Sequence, residues 1–329
     1  MFSILNSEKF CYVGKVKDTL PAGEGVMFNN KMFIKSTWKE GKLNGDVQIY
    51  YNSENIACFF CGGLESVNKD YLPDGEGSMF YRNGSSYKGQ FKNGMNHGKG
   101  TMLYHNGDIF TGEWKENDKE GFGKTVFHDG SHFTGYYKKS KRHGKGKFVN
   151  ANFVYECDWV DGEPDGEGII DDNLGYRYIG GIKNGLRHGE GKYFFNGLGV
   201  PPKPIKTFVG NWCNNEIHGK GELIFIDDVK YVGDFVKNRR SGKGILYINE
   251  NYRYESDWVN DKPHGMSKIY IDNKLYTGMI ENGKFKGKYE TKDEKGNITY
   301  GMIFKNKFVP ESICETAGAL LDFKRRKIE

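Results

Sequence analysis

One phrase recurs along this chain every 22 or 23 residues, and a period of that size decides the architecture before any single residue does. The cleanest copy, Tyr87 to Ile109, reads YKGQFKNGMNHGKGTMLYHNGDI. Further copies start at Phe110, Phe133, Tyr155, Tyr178, Phe208, Tyr231, Tyr254 and Tyr276, so successive starts differ by 23, 23, 22, 23, 30, 23, 23 and 22 residues. The long step contains an insertion, Leu198 to Lys206, whose Pro201, Pro202 and Pro204 mark a surface loop. Weaker copies begin at Tyr12, Ile34 and Ile56, the last lengthened by Leu64 to Asp70, and Thr299 opens a half copy that ends near Val309. Residues 1–309 thus read as an array of 12 repeats and a half, followed by a segment, 310–329, of different character.

Counting the first aromatic of a copy as position 0, the aromatic, the glycine at +2 and the Trp, Phe, Tyr or Ile at +4 fall on one face of a strand, because side chains alternate with period 2. Tyr87, Gly89 and Phe91 face together. The polar stretch Lys92 to Asn96 reverses the chain, and a second strand is expected to follow His97-Gly98-Lys99-Gly100. One hairpin is marginal in water, whereas stacking each on the next closes the ladder and buries a continuous row of rings. The composition agrees: 46 glycines against 8 prolines, with 21 tyrosines and 23 phenylalanines, suit a repeated turn beneath repeated rings. The expected fold is therefore all-β, an elongated single-sheet array of stacked antiparallel hairpins on the order of 115 Å long. Tyr87, Phe91, Phe110, Trp114, Phe133, Tyr155, Trp159, Tyr178, Phe208, Trp212, Tyr231, Phe235, Tyr254, Trp258 and Tyr276 are expected to line its core or trough. Where the +2 glycine is lost, the replacement is small, as in Ser36, Cys58, Cys157 and Ser256, which points to crowding by neighbouring rings.

Chemistry-bearing patterns yield to this reading one by one. His97, His143, His188, His218 and His264 recur at +10, yet equivalent positions in adjacent hairpins are roughly 10 Å apart, too far to share one metal ion. Asn44, Asp74, Asp165 and Ser241 stand at the same position, so a turn and packing role is expected and no metal site. Cys58 and Cys61 have half the spacing of a zinc site, but their odd offset sends them to opposite faces of a strand. Gly121-Phe122-Gly123-Lys124-Thr125 ends like a phosphate-binding loop, yet its first glycine would fall on Asp118 and a strand follows where a helix is needed. No catalytic constellation stands apart from the repeats, so no enzyme and no cofactor are expected. Six irregularly spaced cysteines read as free thiols, and no stretch approaches the ~18 apolar residues of a membrane helix. The N-terminus lacks the pattern of a secretory signal, which leads to the expectation of a cytoplasmic protein. Forty-eight basic against 43 acidic residues, interspersed, argue against nucleic acid. Lys99, Lys145, Lys220, Lys243 and Lys288 recur at +12 and would form a lipid-facing stripe, while Glu24, Glu76, Glu167 and Glu190 at the same position favour a solvated polar face.

The phrase Tyr-x-Gly-x-Trp/Phe-x-x-Gly-x-x-His-Gly-x-Gly closely resembles the MORN (membrane occupation and recognition nexus) repeat, most specifically at Phe208, Gly210, Trp212, His218, Gly219 and Gly221 and at Tyr178, Gly180, His188, Gly189 and Gly191. The resemblance covers about residues 12–309 and is degraded in the first three copies. It implies a non-catalytic scaffold or adaptor that binds protein partners, a helix in the trough among them, and tethers them to cytoskeleton or to the periphery of a membrane, in some cases as a homodimer. The alternatives it implies are a module recognising phosphoinositides or other anionic lipids, and a regulatory subunit of an enzyme.

The last segment differs from the repeats. Ser312 to Glu315 is a capping-box pattern, and Ile313, Ala317, Leu320 and Leu321 share one helical face before Lys324, Arg325, Arg326 and Lys327. A short C-terminal helix is expected there, as a cap on the last hairpin, a segment docked in the trough or a basic localisation signal.

Overall fold

Two consecutive left-handed residues turn an antiparallel hairpin with the least splay, and +6 and +7 of the repeat adopt that conformation. Asn93 and Gly94 have φ of 49° and 80°, Asn214 and Asn215 of 49° and 69°, Asn260 and Asp261 of 50° and 67°. Because the turn needs only these two residues, the second strand starts at +8, with Met95 paired to Lys92. The boundary expected from the sequence is thereby corrected: the His-Gly-Lys-Gly stretch lies inside the strand Met95–Leu103, where Gly98, at φ 56°, bulges between His97 and Gly100.

The computed structural model describes residues 3–7, 9–52, 59–63, 67–68, 70–172, 174–195, 205–271, 274–281, 284–304 and 307–310, with the backbone alone for 281, 284–289, 302–304 and 307–310. Every described element is a strand. The chain divides into two units, Met1–Pro164 and Asp165–Glu329, within the strand Glu163–Asp172. In the first unit, strands from Ser3–Asn6 to Phe153–Val160 run antiparallel, each hairpin pairing with the next; the short Lys42–Leu43 pairs with Met32–Lys39. In the second, strands from Arg177–Lys183 to Lys307–Pro310 repeat the arrangement.

Successive turns are stitched together. The +7 amide donates to the +9 carbonyl of the preceding repeat, as from Asn117 to Asn96 (3.0 Å), Ser140 to Lys119 (3.0 Å), Asn215 to Arg187 (3.0 Å) and Asp261 to Arg240 (3.0 Å). Where +7 is Asn, Ser or Asp, its side chain also accepts from the +9 amide: Asn117 Oδ1 from Asn96 (2.8 Å), Ser140 Oγ from Lys119 (3.1 Å), Asn238 Oδ1 from Ile217 (2.8 Å). A left-handed turn therefore tolerates these residues in place of glycine, since each satisfies a backbone donor next door.

The +2 and +13 glycines pair across strands in a row: Gly77, Gly89, Gly100, Gly112, Gly123, Gly135 and Gly146 in the first unit, Gly180, Gly191, Gly210, Gly221, Gly233 and Gly244 in the second. The ring at position 0 lies flat on this row, where a methyl group on Gly100 would collide with the Tyr87 ring and one on Gly221 with the Phe208 ring. Seated rings then meet the +4 rings edge to face. In the first unit Phe60, Phe91, Tyr87, Trp114, Phe110, Tyr137, Phe133 and Trp159 form one zigzag with centroids 5.0–5.3 Å apart. Tyr178, Trp212, Phe208, Phe235, Tyr231, Trp258 and Tyr254 form another in the second, at 5.1–5.7 Å. Each such pair is worth about 0.5–1.5 kcal/mol beyond the area it buries.

The third copy is phased differently from the expectation that began it at Ile56. Phe60, fully buried, lies over Gly77 and opposite Met79, as position 0 requires, and Gly62 rather than Cys58 pairs into the glycine row. Its ring faces Phe91 at 5.3 Å. Ile56 and Cys58 lie outside the described residues, as do most of the two insertions and the whole of the expected helix at 312–327.

Candidate functional site

The fifteen expected ring positions fall into two groups. Tyr87, Phe91, Phe110, Trp114, Phe133, Trp159, Tyr178, Phe208, Trp212, Tyr231, Phe235 and Trp258 are at most 5% exposed. Tyr155, Tyr254 and Tyr276 are half-buried. For two of these the cause is the seat at +2: Cys157 and Ser256 fill it with their own side chains, Ser256 Oγ sharing a 2.7 Å hydrogen bond with Ser267 Oγ, so the position-0 ring is lifted away. Tyr276 keeps Gly278 at +2, but Tyr289 pairs with that glycine where the well-seated hairpins have the +13 glycine, so its seat is incomplete.

Rings this enclosed offer little surface to a partner. What remains accessible on their face is a row at +9 and +17 that the sequence reading did not single out. At +17 stand half-buried Tyr104, Phe127, Phe195 and Phe225. At +9 stand Lys119, Arg142, Arg187 and Arg240, each stacked on rings of the array. The guanidinium of Arg142 lies 4.3 Å from the Trp159 centroid, that of Arg187 4.7 Å from Trp212 and that of Arg240 4.4 Å from Trp258. Arg187 and Arg240 spend their donors on the next turn: Arg187 Nε to Asn215 Oδ1 (3.2 Å), Arg240 Nε to Asp261 Oδ1 (3.1 Å) and Arg240 Nη2 to the Asp261 carbonyl (3.0 Å). Lys119 and Arg142 differ. Neither is ion-paired among the described residues, and burial lowers the pKa of each, offset in part by Asp108 for Lys119 and Glu163 for Arg142. Lys119 Nζ sits 4.8–5.8 Å from the centroids of Phe110, Tyr104 and Tyr137. The signal in the sequence is a basic residue at +9 in the copies that start at Phe110, Phe133, Tyr178 and Tyr231.

On the opposite face, Lys99, Lys145, Lys220 and Lys243 are exposed, and each stands across from a carboxylate of the next repeat: Glu113, Asp158, Asp234 and Asp257. Lys145 Nζ and Asp158 Oδ1 form an ion pair at 3.2 Å. The backbone of Lys288 pairs with Met302, and its side chain lies outside the described residues. Lys88, Lys99, Thr101 and Glu113 line a shallow hollow of about 600 Å³ on this face, so its charge is mixed.

His97, His143 and His188 hold Nδ1 out of solvent with no hydrogen-bond partner, whereas His218 and His264 are exposed. No three His, Cys, Asp or Glu side chains among the described residues gather as ligands would. Gly121 to Thr125 lie within the strand Asp118–Val126, and the next element is the strand His132–Lys138. Cys11 and Cys61 are half-buried free thiols, Cys157 is buried and Cys213 exposed. Burial, with Asp158 nearby, pushes the Cys157 thiol up to about 12.

A family model of the MORN repeat matches residues 87–109, 110–132, 133–153, 155–172, 178–199, 208–228, 231–250 and 254–266. No curated protein matches the chain. Among solved structures, the wild-type TCP10 domain of Danio rerio CPAP is 11% identical over 68% of this chain and 92% of its own, with a TM-score of 0.25. The TCP domain of Drosophila melanogaster SAS-4 (dCPAP), solved with a proline-rich motif of Ana2 (dSTIL), is 9% identical over 62% of this chain and 83% of its own, with a TM-score of 0.20. Similarity at that level bears on neither fold nor function here. Eight consecutive matches between residues 87 and 266, each coinciding with one repeat of the array, place the chain in the MORN-repeat family.

Proposed function

We propose that the chain is a non-catalytic scaffold whose ring-bearing face takes an extended or helical protein segment and tethers it to cytoskeleton or to the cytoplasmic face of a membrane. The observation that carries this reading is the pair Lys119 and Arg142. Both sit half-buried at the same position of adjacent repeats, Lys119 against Tyr104 and Arg142 against Phe148 and Trp159, and neither forms an ion pair among the described residues, with Asp108 and Glu163 acting on them only from a distance. Cations held against rings and left unpaired suit a partner that brings carboxylates together with apolar side chains. Their regular spacing, roughly 10 Å between repeats, suits a segment laid along the array rather than a small molecule. The stripe at +12 supports a lipid surface less well, because its lysines already face carboxylates.

The test is affinity capture from the native cell with wild type, with Lys119→Glu/Arg142→Glu and with Lys99→Glu/Lys145→Glu, followed by mass spectrometry. Proteins lost with the first pair and kept with the second support the reading. Loss confined to the second pair, together with flotation of wild type on phosphoinositide vesicles, transfers the function to the lipid-facing stripe.

A further inference from the structure

The row of rings in the first unit begins one ring short. Position-0 rings there pack against the +4 ring of the next repeat with centroids 5.0–5.5 Å apart: Tyr12 on Trp38, Phe60 on Phe91, Tyr87 on Trp114, Phe110 on Tyr137 and Phe133 on Trp159. Each of these +4 rings is at most 5% exposed. Val16 is the +4 residue of the repeat that starts at Tyr12, and among the described residues no position-0 ring stands before it. It is only half-buried.

The strand Ser3–Asn6 shows where the missing ring belongs. It pairs with Cys11–Lys17, setting Ser3 opposite Gly14, Ile4 opposite Val13 and Leu5 opposite Tyr12. In a complete hairpin +13, +14 and +15 pair in this way with the following repeat, as Gly100 with Gly112, Thr101 with Thr111 and Met102 with Phe110. Ser3–Asn6 is thus the second strand of a hairpin, and among the described residues no first strand lies on its other side. Leu5 shares the ring face with Tyr12, and Ile4 on the opposite face is 66% exposed. An edge of this kind presents a row of backbone N–H and C=O groups to any extended chain.

We infer that this edge accepts an extended segment of another protein as its missing first strand, and register fixes what that segment carries. The residue opposite Leu5 takes position 0 and the residue opposite Ser3 takes +2, as Tyr87 and Gly89 stand opposite Met102 and Gly100. An aromatic at the first place reaches Val16. Glycine at the second lets the ring lie down, since a methyl group on Gly89 would stand 2.8 Å from the Tyr87 hydroxyl. Ser3 in place of the +13 glycine leaves room for a ring, because Ser267 holds the same place in the repeat of Tyr254, whose half-buried ring still lies 5.7 Å from Trp258. The partner is a strand that reads aromatic-x-glycine, held by main-chain hydrogen bonds and selected by one ring. The opposite end of a second copy does not supply it. Lys307–Pro310 is itself a second strand, with Pro310 opposite Gly301 at the +13 place, and proline has no N–H to donate.

The probe is a fluorescent peptide with the sequence of Asp108–Lys115, DIFTGEWK, which carries Phe110 at position 0 and Gly112 at +2. Its anisotropy on the full chain is expected to saturate with a Kd below ~1 mM. The Phe110→Ser and Gly112→Val peptides should each bind at least ~10-fold more weakly. Leu5→Lys in the chain should have the same effect without changing the circular dichroism, because Leu5 lies on the outermost described strand. With the six native cysteines changed to Ser, Ile4→Cys should form a disulfide under oxidised glutathione with a Thr111→Cys peptide, whose cysteine stands opposite it, and not with an Asp108→Cys peptide. No binding at about 1 mM peptide, or binding that Leu5→Lys and the Phe110→Ser peptide both leave intact, overturns the inference. So does an Ile4→Cys chain that links to itself in preference to the peptide, because the edge then joins two copies.

Discussion

The indole of Trp159 donates its Nε1–H to the carbonyl of Gly146 at 3.1 Å, across the boundary between two repeats. Each of the chain's five tryptophans makes the same bond: Trp38 to Gly25 (3.3 Å), Trp114 to Gly100 (3.1 Å), Trp212 to Gly191 (3.4 Å) and Trp258 to Gly244 (3.1 Å). The acceptor is always the +13 glycine of the preceding hairpin, whose seat carries that hairpin's own ring. Tryptophan at +4 therefore does two things phenylalanine cannot combine: it packs against the seated ring and bonds the backbone beneath it.

Separating those contributions gives the first prediction. Trp159→Phe keeps a ring at a position where Phe91 and Phe235 are already accommodated, and should cost ~1 kcal/mol for the lost hydrogen bond. Trp159→Ala removes the ring as well and should cost ~3–5 kcal/mol. Urea melts of both variants decide; equal losses would mean that the hydrogen bond, not the ring, carries the contact.

A second prediction contrasts two glycines. A methyl group on Gly112 would stand 2.6 Å from the Gly123 Cα, 2.7 Å from Phe110 Cζ and 2.8 Å from the Phe122 carbonyl oxygen, and two of these are backbone that cannot swing aside. Gly112→Val should destabilise by at least ~2 kcal/mol. Gly63 has nothing within 4 Å, so Gly63→Ala should be close to neutral. Comparable melting of the two variants would remove the seat as the reason for glycine at +2.

Much of this was legible because it repeats. The period, the shared face of Tyr87, Gly89 and Phe91, and the close approach at +2 follow from alternation and from which residues replace glycine at Cys157 and Ser256. Three things were not legible. That the second strand starts at Met95 depends on Asn93 and Gly94 both turning left-handed, which a polar stretch does not announce. That Phe60, not Ile56, holds position 0 depends on pairing with Met79, a long-range contact. That Phe28, Phe33, Tyr50, Phe59 and Phe80 stand side by side on successive strands was hidden because an aromatic next to a buried apolar residue looks like a longer apolar run, and only pairing shows the five to be neighbours.

Thiol chemistry offers a third prediction. Cys157 occupies a ring seat, buried, with its pKa pushed up to about 12, so almost none is thiolate at neutral pH. Cys213 is exposed. Iodoacetamide on the native chain should label Cys213 readily and leave Cys157 unmodified until denaturant is added. Rapid labelling of Cys157 in the folded chain would show that the row opens locally.

The last prediction concerns alkaline pH. Burial raises the tyrosines of the ring row: Tyr178 up to about 12, with Glu167 adding to the effect, and Tyr87 and Tyr231 well above the ordinary value near 10. Their hydroxyls donate to the +3 carbonyl, Tyr87 to Gln90 at 2.9 Å, Tyr178 to Gly181 at 2.8 Å and Tyr231 to Asp234 at 3.2 Å, so ionisation would remove the donor as well as bury a charge. Above pH 10 the unfolded chain releases these protons while the folded chain retains them. The folded state then binds more protons, and stability falls as pH rises. The contribution is complete below pH 10 and is lost progressively as pH climbs through about 12. Thermal melts across this window should fall steeply, and Tyr178→Phe/Tyr231→Phe should fall less steeply. Phenylalanine already fills the same seat at Phe110, Phe133 and Phe208, so the double variant should fold. An unchanged slope in that variant would assign the alkaline loss to other groups and leave the seated hydroxyls without a part in it.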